Sequence, residues 1–471
     1  MSAHPLKISW CFSARSMLVY KPSLAIGKSA NTLSNKRAAL LFLLFMFYGP
    51  AIQVVGEFRY VEIVVLVLLV FNFSRAVRYL GNLEKLLISL FLLAAMAHVV
   101  ADLVTNASIE GTIKRTGTYI ILAMLIIGLH WLAHGDVARI RWMLAGYCLS
   151  YLIVYLAGIE TPSRGYLIGP WRLGLGMATT IGVALMIAWQ PRLQRIGGLA
   201  LLAMAGIHWM SEGRSVAAIT AVTGMLALSS SLRSSYYPAP FNPWIVIGFI
   251  VFSSVGIICL NYGLEIATEN KMFPSEMQKK METQFASRYG LLGGGRPDAF
   301  VALYAISKRP FLGHGSTNLD PDVWYFYSEL NAEMYAQMND YERILLHELN
   351  KEWVLGTPSH SHLLGAWADA GIIAALCWFA VLGLCIYVFV RVMFWRHCLA
   401  PLIVLIAVST IWDILFSPGP ARMDMAFRIL ILTHAVKLLR TFDLCMTRNL
   451  VVQRRHQISQ TSDLGCFAKG P

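Results

Sequence analysis

The sequence predicts an all-α protein, a polytopic membrane helix bundle of about 12 spans with one long, partly helical loop outside the membrane. Charged residues make up 14% of the 471 residues, whereas soluble globular proteins carry roughly 25%. Hydrophobic residues make up 57%, and they recur in runs close to the roughly 20 residues that a membrane-spanning helix needs. Such runs fold as helices because the backbone must satisfy its own hydrogen bonds in lipid.

Twelve apolar runs give the predicted spans, which fall into a block of nine at 38–262 and a block of three at 362–440. The second run is short and carries Glu62, so its limits are poorly defined. The runs are 38–55, 60–74, 84–104, 115–133, 138–159, 171–190, 194–210, 214–232, 243–262, 362–390, 398–416 and 424–440. Outside them we expect a basic tail at 1–37, a loop at 263–361 that carries the site residues, and a tail at 441–471 that is disordered from 446 onward.

The positive charge is distributed as expected for a membrane protein and argues against nucleic-acid binding. The net charge is +13, but the basic residues concentrate in both tails and in alternate short loops, such as those holding Arg75, Arg139 and Arg192. Cytoplasmic loops are enriched in Lys and Arg. We therefore expect both termini to be cytoplasmic, an even number of spans, and the 263–361 loop on the opposite side.

The cysteines point neither to disulfides nor to a metal site. None of the eight lies in the 263–361 loop, and no pair has the spacing of a zinc site. We interpret them as small apolar residues or cytoplasmic thiols.

The long loop combines two helical regions with a glycine-rich turn. Residues 297–308 group Phe300, Val301, Tyr304, Ala305 and Ile306 on one helical face, which predicts an amphipathic helix on or near the membrane surface. Pro310 ends this helix, and two glycines in FLGHGS form the turn that follows. Residues 322–353 predict a second, more acidic helical region.

Two arginines are candidates for binding phosphate, because a guanidinium group forms bidentate contacts with it. Arg296 follows three glycines that permit close backbone approach. The alternative for Arg296 is an anchor for the helix beginning at Pro297. Arg214, in SEGRS at a span end, could equally be an interfacial residue that extends its charge to water. Arg288 is a secondary candidate.

Histidines supply the candidate general base, since the free imidazole titrates near neutral pH. His360 and His362 lie in PSHSHLL, just before a span. Alternatives are a polar helix start capped by Ser359 or Ser361 and a two-histidine metal site, which would lack a third ligand. His314 is predicted to be a turn residue and stays a secondary candidate. Ionisable residues within or near spans, including His98, Asp102 and Asp413, are further suspects.

The order of these motifs resembles the O-antigen ligase and O-antigen polymerase superfamily. The resemblance rests on the arginine hairpin at Arg214, on Arg296 followed by PFLGHG, and on His360 followed by Leu364 and Asp369-Ala-Gly371. It covers about 170–390. The chain departs from the family pattern at Ser361, where Asn is usual, at Asp369, where Glu is common, and at Gly213, where Ser usually precedes the arginine.

The resemblance implies a glycosyltransferase that works without a metal or another cofactor at the periplasmic face of the bacterial inner membrane. The donor would be an undecaprenyl-diphosphate-linked glycan. The acceptor would be a lipid A–core sugar in a ligase or a second lipid-linked glycan in a polymerase. Arg214 and Arg296 would bind the diphosphate, and His360 would be the base. Apart from the resemblance, a seven-residue separation returns to the same side of a helix, so we expect His362 to face Asp369 and to act as an orienting group.

Three alternatives remain at this point. A polymerase of O-antigen or exopolysaccharide would share every motif above. A secondary transporter with twelve spans belongs to a different class, and transporters usually have related halves and helices broken at the midplane. We find no internal repeat in the sequence. A scaffold that only binds glycan is the third alternative.

Overall fold

The computed structural model describes residues 28–53, 57–157, 175–211, 213–232, 243–273, 275–285, 297–317, 320–335, 357, 359–393, 395, 397–417 and 422–466. Helices dominate these residues, which confirms the predicted all-α class. The described strands form one short antiparallel hairpin of β1 (Ala51–Gln53) and β2 (Glu57–Arg59).

The described helices follow one another along the chain in the following order. In the first half they are α1 (Lys28–Met46), α2 (Tyr60–Arg78), α3 (Asn82–Thr105), α4 (Ile109–Ala133), α5 (Val137–Leu156), α6 (Gly176–Trp189), α7 (Gln194–Met210), α8 (Arg214–Leu232) and α9 (Pro243–Glu269). In the second half they are α10 (Ser275–Phe285), α11 (Pro297–Lys308), α12 (Pro321–Tyr335), α13 (His362–Val392), α14 (Ala400–Phe416) and α15 (Arg422–Cys466).

Five of the described helices are long and apolar enough to cross a membrane, so the chain is a membrane protein. They are α2, α3, α4, α5 and α13. Shorter apolar helices occur at Gly176–Trp189, Arg214–Ser230 and Ala400–Phe416. Most predicted spans coincide with a helix, while the total of twelve spans stays a prediction.

Both ends of the described chain differ from the sequence prediction. The helix predicted at 38–55 begins earlier, at Lys28, and ends at Met46. The hairpin then pairs Ala51 with Arg59, where the prediction continued the helix. The tail predicted to be disordered from 446 is helical to Cys466, as part of α15.

Charged residues inside the bundle pair across distant segments. Glu62 of α2 lies 3.3 Å from Arg422, Glu84 of α3 lies 2.6 Å from Lys437, and the Tyr48 hydroxyl donates to Asp424 at 2.5 Å. Intramembrane ionisable groups are generally paired in this way. The partner from α15 explains why an apolar span tolerates Glu62.

Helix α13 is broken rather than a continuous span as predicted for 362–390. Ala370 (φ −136°, ψ 19°) and Gly371 (φ 76°, ψ −177°) leave the helical conformation. Residues 362–369 fold back against 372–392, since the Trp367 and Phe379 rings lie 5.8 Å apart between centroids. The remainder of α13 packs on α3 and α14, and α11 packs on the short first half.

Candidate active site

The glycine-rich turn after α11 docks into the break in α13. The backbone N–H groups of His314 and Gly315 donate to the carbonyls of Ala368 and Asp369 at 2.9 and 2.8 Å, and Ile372 N–H donates to the Pro310 carbonyl at 3.1 Å. The end of a broken helix leaves carbonyl groups without intrahelical partners. The turn satisfies them, which stabilises the break inside the bundle.

Glycine is required on both sides of this contact. Gly313 and Gly371 have φ of +69° and +76°, a region that side chains disfavour. A Cβ atom at Gly371 would also collide with the carbonyl oxygen of Phe311, and one at Gly313 would lie 2.5 Å from the Asp369 carbonyl carbon. The two backbones therefore approach as closely as two glycines permit.

Asp102 holds the turn on the end of α3. Its carboxylate accepts from the Ser316 N–H at 2.5 Å and from the Ser316 hydroxyl at 2.8 Å. Both residues are buried. The neighbouring Thr317 hydroxyl accepts from Ser108 N–H at 2.7 Å. Asp102 thus has a structural role in joining the turn to the α3–α4 connection.

His314 has the structural position of a turn residue, as the sequence predicts. The side chain is buried, and Nε2 lies 2.9 Å from the Ala305 carbonyl of α11. Nδ1 lies 3.5 Å from the Asp320 carboxylate. The imidazole therefore connects α11, the turn and the start of α12.

Helices α11 and α12 pack together beside the short half of α13. Tyr304 and Phe326 stack at 4.5 Å between ring centroids. The hydrogen bond with Tyr304 raises the pKa of Lys308, as does the charge of Asp322. The buried residues of α11, Val301, Ala302 and Ala305, contact protein rather than the membrane surface.

Asp369 pairs with Arg115, not with His362 as the sequence interpretation proposed. Arg115 Nη2 lies 3.2 Å from Asp369 Oδ2, and the aspartate side chain is 1% exposed while the arginine side chain is 45% exposed. The sequence analysis gave Arg115, at the start of the span predicted for 115–133, no role in the site. Arg115 of α4 thereby places a cation next to the break in α13.

His362 lies in an aromatic cluster between α3, α4 and the second half of α13. Its ring stacks on Trp378 at 4.5 Å between centroids. The Trp378 N–H donates to the Tyr119 hydroxyl at 3.3 Å, and Tyr119 stacks on His98 at 4.9 Å. Both ring nitrogens of the buried His98 and Nε2 of His362 lack hydrogen-bond partners.

The loop before α13 is fixed by Ser361, as the N-cap alternative predicts. Its hydroxyl accepts from Leu364 N–H at 3.0 Å and donates to the Ile414 carbonyl at 2.7 Å. The second bond ties the start of α13 to the end of α14. His360 is thereby held beside two packed helices.

His360 contacts Asp298, a partner that the sequence interpretation did not identify. Nδ1 of His360 contacts Oδ2 of Asp298, and the two side chains are 29% and 14% exposed. Asp298 lies in the first turn of α11. Acidic residues are common there because of the helix dipole, so no local pattern distinguishes this aspartate from an ordinary helix-start residue.

The remaining candidate residues are only partly described. Arg214 begins α8, and its Nη1 lies 3.2 Å from Met281 Sδ and 3.4 Å from Gln284 Oε1 on α10. Arg288 and Arg296 lie outside the described residues. Arg428 pairs with Asp413.

No protein-family model matches this chain, and no curated protein is significantly similar to it. Within the described ranges there is also no group of three or more His, Cys, Asp or Glu side chains arranged to hold a metal ion. The assignment of an activity therefore depends on the chemistry of the site and on the motif resemblance.

Proposed function

We propose that this protein is a membrane glycosyltransferase that moves a glycan from an undecaprenyl-diphosphate carrier to an acceptor hydroxyl. The observation that carries the proposal is the His360–Asp298 pair at the start of the broken helix. It provides a partly exposed imidazole, oriented by a carboxylate, at the histidine position of the motif that resembles the O-antigen ligase and polymerase superfamily.

The pair suits a general base. A carboxylate at Nδ1 favours the tautomer with its proton on that nitrogen, which makes Nε2 the basic atom. Asp298 also stabilises the imidazolium that forms when His360 takes a proton. The acceptor hydroxyl loses this proton as its oxygen attacks the sugar C1 atom, while the bond from C1 to the diphosphate oxygen breaks.

The departing diphosphate gains negative charge, and preorganised cations stabilise such charge strongly in a low-dielectric site. Arg214 and Arg296 keep their proposed roles in binding it. We add Arg115, because its guanidinium is half-exposed while one edge is held by the buried Asp369. Fixed arginines can take the part that a metal ion plays in other phosphate chemistry.

The cellular setting follows from the same chemistry. The carrier-linked donor is accessible from the periplasm, so we place the site at that face of the bacterial inner membrane, with both termini cytoplasmic. The polyprenyl tail of the carrier would lie against apolar helix surfaces in the lipid. The acceptor would be lipid A–core in a ligase or a second carrier-linked glycan in a polymerase.

Electrophoresis of lipopolysaccharide from a deletion strain separates these two reactions. Loss of all capped core, with long carrier-linked chains retained, indicates a ligase. Core capped with a single repeat indicates a polymerase. Unchanged lipopolysaccharide and unchanged surface polysaccharide would contradict both assignments.

A secondary transporter is the second candidate, because helices broken within the membrane are frequent in transporters and α13 is broken at Gly371. The two functions differ in what they do to the carrier-linked glycan. A transferase deletion leaves carrier-linked donor accumulated at the periplasmic face. A transporter deletion leaves it at the cytoplasmic face, where membrane-impermeant glycan-oxidising reagents added to spheroplasts do not reach it.

A further inference from the structure

A basic cleft of about 590 Å³ lies at the far end of the bundle from the Arg115–Asp369 pair. Arg115 is near the start of α4, whereas the cleft is lined by Trp131, Leu132 and His134 at the end of that helix. With a rise of 1.5 Å per residue, α4 is roughly 37 Å long. The cleft and the candidate active site are therefore on opposite membrane faces.

Four arginines from three segments converge on the cleft: Arg37 of α1, Arg75 and Arg78 of α2, and Arg139 of α5. Asp136 compensates one of them, at 3.7 Å from Arg139 Nε. No acidic side chain in the described part of the chain pairs with the other three. Like charges at this density repel one another, so the cleft is complementary to an anion.

The cleft forms where α2 is distorted. Asn72 has φ −125° and ψ 16° inside the helix, and its side-chain amide donates to the Leu68 carbonyl at 3.0 Å. A side chain that inserts into the helical hydrogen-bond ladder is a known cause of a kink. The kink comes directly before Arg75 and Arg78, which makes the cleft a feature of the fold rather than of surface side chains alone.

The walls of the cleft are apolar and continue onto surfaces that face lipid. Leu40 and Leu41 line it together with Trp131. Leu40 is strongly exposed, and so is Phe71, which precedes the cleft residue Asn72 in the chain. At the rim, Tyr79 and His134 stack at 4.1 Å between ring centroids. Aromatic rings at this level are typical of the boundary between hydrocarbon and headgroups.

We infer that the cleft binds the headgroup phosphate of an anionic diacyl phospholipid from the leaflet opposite the candidate active site. Arginine forks bind phosphate oxygens bidentately, and basic pockets between spanning helices bind anionic headgroups. The acyl chains run along Leu40 and Phe71 into the bilayer. A soluble phosphate would leave these apolar walls uncovered.

The topogenic role of basic loops does not account for this arrangement. Positive loops need only be on one side of the membrane. Arg192 on the α6–α7 connection and Arg195 in the first turn of α7 satisfy that requirement, and both are exposed. They lie at the same end of the bundle, because Trp142 of α5 meets Trp189 of α6 at 5.6 Å between ring centroids. These two arginines therefore provide a matched control.

The test measures lipid binding by the purified full-length protein in detergent. Binding is read from the shift of the thermal unfolding midpoint. Phosphatidylglycerol, phosphatidylcholine with the same acyl chains, and inorganic phosphate are titrated separately. We expect phosphatidylglycerol to raise the midpoint saturably, and the other two to have little effect. The Arg75→Gln/Arg78→Gln variant should need about tenfold or more lipid for the same shift.

The Arg192→Gln/Arg195→Gln variant removes the same charge from the same face and should behave as wild type. If this control lost as much lipid affinity as the α2 variant, the proposal would be overturned, since binding would then depend on bulk charge. An equal shift with inorganic phosphate would overturn the lipid assignment. If the α2 variant does not fold, Arg37→Gln on α1 provides the same test, and unchanged lipid dependence there contradicts the inference.

Discussion

The imidazole of His362 stacks on the indole of Trp378, with ring centroids 4.5 Å apart. In one straight helix these two positions would be about 24 Å apart. The contact is possible only because 362–369 folds back at Gly371. Because Trp378 is seven residues beyond the break, His362 lies roughly 10 Å further along the second half of α13 than Gly371 does.

Gly371→Ala should destabilise the protein by about 2 kcal/mol or more, because φ 76° with ψ −177° is a conformation that essentially only glycine adopts. The new side chain meets an unfavourable φ and the carbonyl oxygen of Phe311. Gly383→Ala is the control in the same helix, because a Cβ atom there meets nothing within 4 Å and alanine favours helix. In detergent, the thermal unfolding midpoint of Gly371→Ala should be lower than that of Gly383→Ala. Equal midpoints would contradict the claim that position 371 requires glycine.

The sequence was sufficient to predict helices and motifs whose signals are local. Apolar runs gave most helix positions, Pro310 and the glycines gave the turn, and the amphipathic pattern gave α11. The break at Gly371 was not predictable from the apolar run, because one glycine in a helical pattern is ordinarily tolerated. The fold-back depends on the turn at 310–317, a contact between distant segments.

The partners of the site residues were equally unpredictable. A seven-residue spacing favoured a pair between His362 and Asp369, but that spacing shows only that two residues share a helix face. The Asp369 carboxylate instead pairs with Arg115 from another helix. Asp298 looked like an ordinary residue of a helix start. Tertiary packing brings it to His360, and no local pattern reports such a contact.

Arg115→Gln should destabilise the protein by about 1–3 kcal/mol, because it leaves the buried Asp369 carboxylate unpaired; the effect is smaller than for a fully buried pair because Arg115 is 45% exposed. The double variant Arg115→Gln/Asp369→Asn removes both charges and should recover much of this loss. If Arg115 also binds the diphosphate, glycan transfer stays impaired in the stable double variant. Recovery of both stability and transfer would limit Arg115 to a structural role.

Asp298→Asn should reduce transfer at least about tenfold, because the carboxylate that orients His360 is lost. Asp322→Asn provides the control, since Asp322 is an exposed partner of Lys308 on the neighbouring α12. Rates are compared at equal protein levels with a carrier-linked donor. If the two variants had equal transfer rates, Asp298 would have no role in orienting His360.

The proposed topology makes a separate prediction. Alkaline phosphatase fused near Asn318 should be active, since the enzyme matures only in the periplasm, and a fusion near Arg233 should be inactive. A cytoplasmic reporter should give the opposite pattern. If the pattern is reversed, the site faces the cytoplasm and the proposed donor would be on the wrong side.

The most direct test of the proposed mechanism is the transfer rate of purified His360→Ala in excess EDTA. Loss of a general base commonly lowers a rate by about 10²–10⁴-fold, and we expect a decrease of this size, while the wild type keeps its rate without divalent ions. His362→Ala should be affected less, through lost packing on Trp378. Near wild-type transfer by His360→Ala, or a wild type inactivated by EDTA and rescued by a divalent ion, would contradict the base assignment.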